Sequence, residues 1–159
     1  MELTVYLSPM GPIGIESDGE MITTLKFANI ESGSAATSPL LKTCTEELEA
    51  YFNKSLDKFS VPIRLNGTVF QNKVWAELIN IPYGTTISYS ELAVRLGDIK
   101  CIRAAGTANG KNQLPIIVPC HRVIGKNGSM VGFAGGIGRK EWLLRHEGAI
   151  QGEQMKIFS

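Results

Sequence analysis

Histidine is nearly missing from this chain of 159 residues: His121 and His146 are the only two. Cysteine is almost as scarce. Cys44, Cys101 and Cys120 are odd in number and far apart, which suits neither a disulfide framework nor a zinc finger and leaves at least one thiol free. With no C-x-x-C or H-x-x-x-H pair, no metal site is expected. No apolar run approaches the ~18 residues of a membrane span, and Met1-Glu2-Leu3-Thr4 lacks the basic start and long apolar segment of a signal peptide. A soluble, cytoplasmic protein with no membrane partner is the expectation. At 19% charged and 43% hydrophobic residues the chain is unsuited to disorder and able to bury a core, yet too short for a large multidomain enzyme. Glycine, by contrast, is plentiful, with 17 residues.

The formal net charge of +1 hides a division. Residues 1–62 carry four Lys/Arg against nine Asp/Glu, and residues 63–159 carry twelve against six, so the two parts have net charges of −5 and +6. Between Arg95 and Arg145 nine bases face two acids, Asp98 and Glu141. A polyanionic partner is the leading reading of that stretch, and scattered solvated lysines the plain alternative.

Local patterns divide the chain at the same place. Short runs at Leu3–Leu7, Gly14–Glu16 and Met21–Phe27 are separated by Pro9-Met10-Gly11-Pro12 and by Asp18-Gly19, the punctuation of a small antiparallel sheet. Ser38-Pro39 reads as an N-cap followed by proline at the first helical position. Leu40, Leu41, Cys44, Leu48, Tyr51 and Phe52 then recur at helical spacing. Asn53–Gly67 has no sustained period and is the expected link. The predicted division is a sheet and helix lobe over 1–62 and a mainly helical lobe over 63–159, an α+β protein.

In the second part Phe70, Val74, Trp75, Leu78 and Ile79 mark a helix that Ile81-Pro82-Tyr83-Gly84 ends. Ser88 and Glu91 form an S-x-x-E capping signal, and Gly97 stops the helix they start. A second short helix runs from about Ile99 to Asn109 and carries Lys100 and Arg103 among Ala104, Ala105, Gly106 and Ala108. Two short helices joined by a glycine turn form a helix-turn-helix pattern, although an ordinary packed hairpin has the same signature. Leu114–Val118, bracketed by Pro115 and Pro119, reads as a buried strand that delivers Cys120-His121-Arg122-Val123 to its end. Six glycines follow between 125 and 138, and a last helix covers about Arg139–His146.

Cysteine attacks as a thiolate, so a nucleophilic Cys120 needs a base or cation at hand. His121 is adjacent in sequence, but neighbours in an extended segment point to opposite faces, so their cooperation requires a turn or a bridging water. Glu147 or His146, at the end of the last helix, is placed to orient such a base. Taken alone, Cys120 also fits a small buried hydrophobe.

Pro119-Cys120-His121-Arg122-Val123, preceded by Asn112 and the apolar run, is followed by Gly135-Gly136 and by Lys140-Glu141-Trp142-Leu143-Leu144 through His146-Glu147-Gly148. With Ile87-Ser88-Tyr89 and Arg103-Ala104, this pattern resembles the O6-alkylguanine-DNA alkyltransferases over residues 66–148, and more weakly over the N-terminal part. The resemblance implies repair of DNA. An alkylated guanine is flipped from the duplex, and its O6 substituent passes once, irreversibly and without any cofactor, to Cys120. His121, through a water and backed by Glu147, takes the thiol proton. Tyr89 donates to N3 of the leaving base, and Asn112 braces the turn. Arg103 fills the gap left by the base. Lys100, Ala104, Thr107 and Arg122 join it at the DNA, approached from the minor groove by a monomer. Val123, Met130, Phe133, Ala134 and Gly135 line the pocket, with the carbonyls of Cys120 and Val123 reading the exocyclic amine.

Some positions depart from the family pattern. Ala134 stands where some relatives carry serine, Phe133 replaces a tyrosine and Gly110 replaces a base. The N-terminal part has Cys44 but no histidine, so the zinc that some relatives bind there is not expected. Two rival readings are a lesion-binding module without chemistry, against which Cys120 argues, and an unrelated cysteine hydrolase or thiol sensor, which leaves the basic stretch unexplained.

Overall fold

The structure, a computed structural model, describes residues 2–27, 38–128, 133 and 135–150. The chain divides between Asn66 and Gly67 into two compact units. In the first, β1 (Glu2–Ser8), β2 (Gly11–Ser17) and β3 (Ile22–Phe27) form an antiparallel sheet in the order 1-2-3. Gly11 and Pro12, expected in the turn, belong to β2, because the hairpin closes over Pro9-Met10 alone: the Ser8 hydroxyl accepts from Met10 N and donates to the Gly11 carbonyl. Period-two alternation buries Ile13, Ile15 and Leu25 on one face and leaves Leu3 and Leu7 exposed on the other.

Helix α1 (Pro39–Phe52) is capped by Ser38, whose hydroxyl accepts from Leu41 N at 3.2 Å. Its buried stripe is Leu41, Cys44, Leu48 and Tyr51, and Tyr6 of β1 donates to Glu49 and stacks on Phe52. The segment expected as a link holds one short pairing, in which Ile63 bridges Ile22 in parallel through bonds of 2.9 Å on either side.

In the second unit α2 (Val69–Leu78) opens on a complete capping box, Thr68 with Gln71. Gly67 is required there, since a Cβ would lie 2.5 Å from the Trp75 ring. Trp75 is buried and donates to the Ala108 carbonyl at 2.8 Å. The two-residue strand β4 (Ile87–Ser88) leads into α3 (Tyr89–Arg95), with Ser88 as N-cap, and Gly97 at φ 97° turns the chain through a 3-10 segment into α4 (Ile102–Gly110).

Leu114–Val118 is buried, as expected, but it is not a strand. It is a tight loop in which Val118 N reaches the Leu114 carbonyl at 2.8 Å and Ile116 sits at φ 76°. Proline at 115 has no N–H to give a ladder, and the Asn112 side chain serves the loop instead. Its Nδ2 donates to the Val118 carbonyl at 2.7 Å and its Oδ1 accepts from Leu114 N at 2.9 Å. A β-branched residue at positive φ costs about 1–3 kcal/mol and persists only where neighbours over-determine it. Asn112 is such a neighbour. Beyond the loop, β5 (Val123–Ile124) pairs in parallel with β4, Ile87 beside Val123, and α5 (Ile137–His146) completes the unit. This pairing brings the start of α3 alongside the Cys120 segment. An α+β architecture results, a sheet and helix unit followed by a mainly helical one.

Candidate active site

Cys120-His121-Arg122 forms a single 3-10 turn, and all three residues are buried. The segment is a turn and not an extended strand, so its adjacent side chains are not held to opposite faces. Glu147, rather than His146, meets His121: its Oε2 lies 2.8 Å from Nε2. His146 instead stacks on Trp142 with ring centroids 4.9 Å apart. A carboxylate can only accept, so Nε2 carries the imidazole hydrogen and Nδ1 holds the lone pair. Nδ1 is buried and has no hydrogen-bond partner among the described residues.

The electrostatics define the resting protonation of each group. Burial pushes the Cys120 thiol up to about 11, against opposing pulls from the Asn112 side chain and the Lys140 ammonium. Burial likewise lowers His121, which contact with Glu147 only partly restores, so the imidazole rests neutral. For Glu147 burial acts upward, but His121 and Arg122 outweigh it and hold the carboxyl far below the usual range. Tyr89 is raised by burial and then by Cys120, with a hydrogen bond from Asn109 acting the other way. The site therefore holds a thiol, a neutral base, an ionised carboxylate and a phenol. Such a set can move a proton from sulfur to imidazole and offer a second proton from the phenol to a leaving group.

Lys140 has no part in the site expected from the sequence. It is fully buried, donates to the Val123 carbonyl at 2.6 Å and lies 5.8 Å from the centre of the Tyr89 ring. Burial brings its pKa down to about 8, with Cys120 pulling the other way. Asn109 was also missed. It is buried on α4 and donates through Nδ2 to the Cys120 carbonyl at 3.3 Å. Neither residue has a local sequence signal, because a lysine and an asparagine in short helices ordinarily face water.

The remaining expected residues separate into two groups. Arg103, Ala104 and Thr107 share the exposed side of α4, and Lys100 is exposed just before it. Arg122, grouped with them by the resemblance, turns inward: it is 6% exposed, bonds both oxygens of Glu147 and the Ile81 carbonyl, and lies over the Tyr83 ring. The guanidinium is thus committed to the interior. Phe133 is buried, its ring edge-on to His121 at 6.5 Å, and the Gly135 carbonyl accepts from Arg139. The carbonyls of Cys120 and Val123 already accept from Asn109 and Lys140, respectively. Met130 and Ala134 lie outside the described residues. No group of three or more His, Cys, Asp or Glu among the described residues could hold a metal ion, and no helix among them is long and apolar enough to cross a membrane.

Known proteins resemble this chain over most of its length. The methylated-DNA–protein-cysteine methyltransferase of Methanosarcina acetivorans is 40% identical over 158 residues, covering 94% of this chain and 99% of its own. The protein of that name from Mycobacterium bovis is 40% identical over 156 residues, covering 95% and 94%. Among solved structures, Mycobacterium tuberculosis OGT in complex with DNA superposes with a TM-score of 0.82 at 41% identity, over 91% of each chain. The family model for the DNA binding domain of 6-O-methylguanine DNA methyltransferase matches residues 69–149, and the model for that enzyme's ribonuclease-like domain matches residues 1–65. With both family models matched in order and a buried thiol, imidazole and carboxylate standing where the sequence pattern requires them, the chain belongs to the 6-O-methylguanine DNA methyltransferase family.

Proposed function

We propose that this protein repairs DNA by taking the alkyl group from O6 of guanine onto Cys120, once per molecule. The observation that carries the reading is the buried His121–Glu147 pair beside Cys120, with the imidazole lone pair on an unpartnered Nδ1. The thiol proton passes to Nδ1 through a water, and Lys140 favours the resulting thiolate. Sulfur then attacks the alkyl carbon. As the S–C bond forms, the C–O6 bond breaks and its electron pair spreads into the ring, which takes a proton at N3 from Tyr89. The proton held on His121 returns to the phenolate, so the net exchange is one alkyl group for one proton. The thioether is stable and the molecule is spent.

The target base must leave the duplex to reach a buried sulfur, at an unstacking cost of a few kcal/mol. Arg103, on the exposed side of α4, fills the vacated place from the minor groove. The helix pair α3 and α4 acts as a helix-turn-helix, and Lys100, Lys111 and Lys126, all exposed, supply phosphate contacts that are independent of sequence. The protein works as a monomer, without metal or cofactor, in the cytoplasm. O4-alkylthymine presents the same alkoxy carbon and is the natural second substrate. The division between Asn66 and Gly67 separates a supporting part from this reacting part.

Incubation with a duplex containing one O6-methylguanine should add the mass of one methyl group, mapped to Cys120, and Cys120→Ala should abolish transfer while still binding the duplex. A methyl group mapped to Cys44 or Cys101 would falsify the assignment. Binding without any gain in mass would favour a lesion-binding module instead.

A further inference from the structure

The resemblance puts Arg122 at the DNA, and its burial leaves it without that work. The guanidinium is held from three sides: by both oxygens of Glu147 at 2.8 and 2.9 Å, by the Ile81 carbonyl at 2.7 Å and by the Tyr83 ring, whose centre lies 5.6 Å away. Oε2 of Glu147 therefore accepts from two donors, Arg122 and the Nε2–H of His121 at 2.8 Å. One carboxylate carries one negative charge. A guanidinium keeps its proton in any protein setting, so the Arg122–Glu147 pair closes to zero net charge. A proton added to His121 would then be a buried positive charge with nothing to match it, which is costly. The imidazole stays neutral, and its lone pair stays on Nδ1, which is buried and has no partner among the described residues. The other titratable groups around His121 are Cys120 on the same turn and Lys140 on α5, with Tyr89 beside Lys140. Lys140 is a second cation and acts in the same direction as Arg122. The thiol supplies a matching negative charge when it ionises, so imidazolium and thiolate form together and cancel.

We propose that Arg122 is a positioning residue that keeps the base free: its fork commits the charge of Glu147, so that the carboxylate orients His121 through Nε2 without drawing a proton onto it. The inference rests on the alkyl-transfer reading above. Arg122 acts through Glu147 and not on the reacting atoms.

Two measurements test it. Nitrogen-15 NMR of labelled histidine reads the charge and tautomer of His121, since the chain has only one other histidine and His121→Gln identifies the signal. Single-turnover transfer from an O6-methylguanine duplex is followed over the same pH range. In the wild type His121 should be neutral at about pH 7, with its hydrogen on Nε2. Arg122→Met should raise the titration midpoint of His121 by about one pH unit or more. It should slow transfer about tenfold near pH 6.5, yet less than about threefold near pH 8.5, where the imidazole is again neutral. Arg122→Lys keeps the charge and should recover most of the loss near pH 6.5. Arg122→Met combined with Glu147→Gln removes both charges and should return the midpoint to below about 6.5. Arg122→Gln is the second neutral variant should methionine prevent folding. An unmoved midpoint, or a transfer loss equal at every pH, overturns the proposal. A wild-type protein that transfers no methyl overturns the alkyl-transfer reading and this inference with it, an outcome distinct from the other two.

Discussion

The guanidinium of Arg122 grips both carboxylate oxygens of Glu147, Nε to Oε1 at 2.8 Å and a terminal nitrogen to Oε2 at 2.9 Å. A bidentate pair of this kind is geometrically specific as well as strong. Its third contact, at 2.7 Å, is the Ile81 carbonyl just beyond α2, so one side chain joins three segments around His121. Removing one partner of a buried pair leaves an uncompensated charge and costs about 3–5 kcal/mol. Arg122→Met should therefore lower stability by about that amount in urea unfolding, and Arg122→Lys, which keeps the charge but not the fork, should recover only part. A loss under about 1 kcal/mol for Arg122→Met would mean that the pair is far better solvated than its burial indicates.

Stability should fall on acidification in two windows. His121 is lowered by burial from its ordinary 6.5. Between that value and its native one the unfolded chain binds a proton that the folded site does not, so each step down in pH favours unfolding. Glu147 is lowered from 4.5 because His121 and Arg122 outweigh its burial, and below 4.5 it adds loss in the same direction. Melting midpoints measured from pH 7.5 downward should decline first below about 6.5 and more steeply below about 4.5. His121→Gln should flatten the first decline and weaken the second, because His121 is one of the two groups that hold Glu147 low. A midpoint that rises as pH falls from 7 to 5 would contradict the neutral assignment of His121.

Arg103 is exposed on α4, whereas the Cys120 thiol is buried. On the proposed reading its work lies in extruding the base, which a free base does not need. Arg103→Ala should slow repair of duplex DNA by about tenfold or more while changing the reaction with free O6-benzylguanine by less than about twofold. Equal losses on both substrates would place Arg103 elsewhere in the mechanism.

Transfer should destabilise the product. Cys120 is 1% exposed, so an added alkyl group stays among buried neighbours, and the thioether can no longer take part in proton exchange with His121. Overpacking costs ~1–3 kcal/mol, which for a chain of this size lowers the midpoint by about 2–4 °C per kcal/mol. Alkylated protein freed of DNA should melt below the unreacted form, and benzyl below methyl. An unchanged or raised midpoint after complete alkylation would show that the site absorbs the product without strain.

Local order was legible from residue order because it depends on neighbours three or four positions apart. Ser38-Pro39 at the start of α1, Ser88 at the start of α3 and Gly97 after it act through their own backbone and the next turn. The helical spacing of Leu41, Cys44, Leu48 and Tyr51 marks one buried face whatever that face meets. The P-C-H-R-V string likewise carried the family resemblance before any contact was known. The loop at Leu114–Val118 looked like a strand because apolar composition reports burial, whereas its conformation depends on Asn112 bonding both ends of it.

Partners far apart in sequence were decided only by the tertiary structure. The β4–β5 pairing and the docking of α5 set Glu147 against residues 25 and 26 positions away and bring Lys140 to the Val123 carbonyl. A lysine, an arginine and an asparagine have no sequence mark that says whether they will be buried. Arg122 belongs by type to a phosphate-binding surface, and only the position of Glu147 and the Ile81 carbonyl turns it inward. Charged groups are buried where the fold supplies opposite charge and hydrogen bonds to replace water, and that supply is a property of the assembled chain.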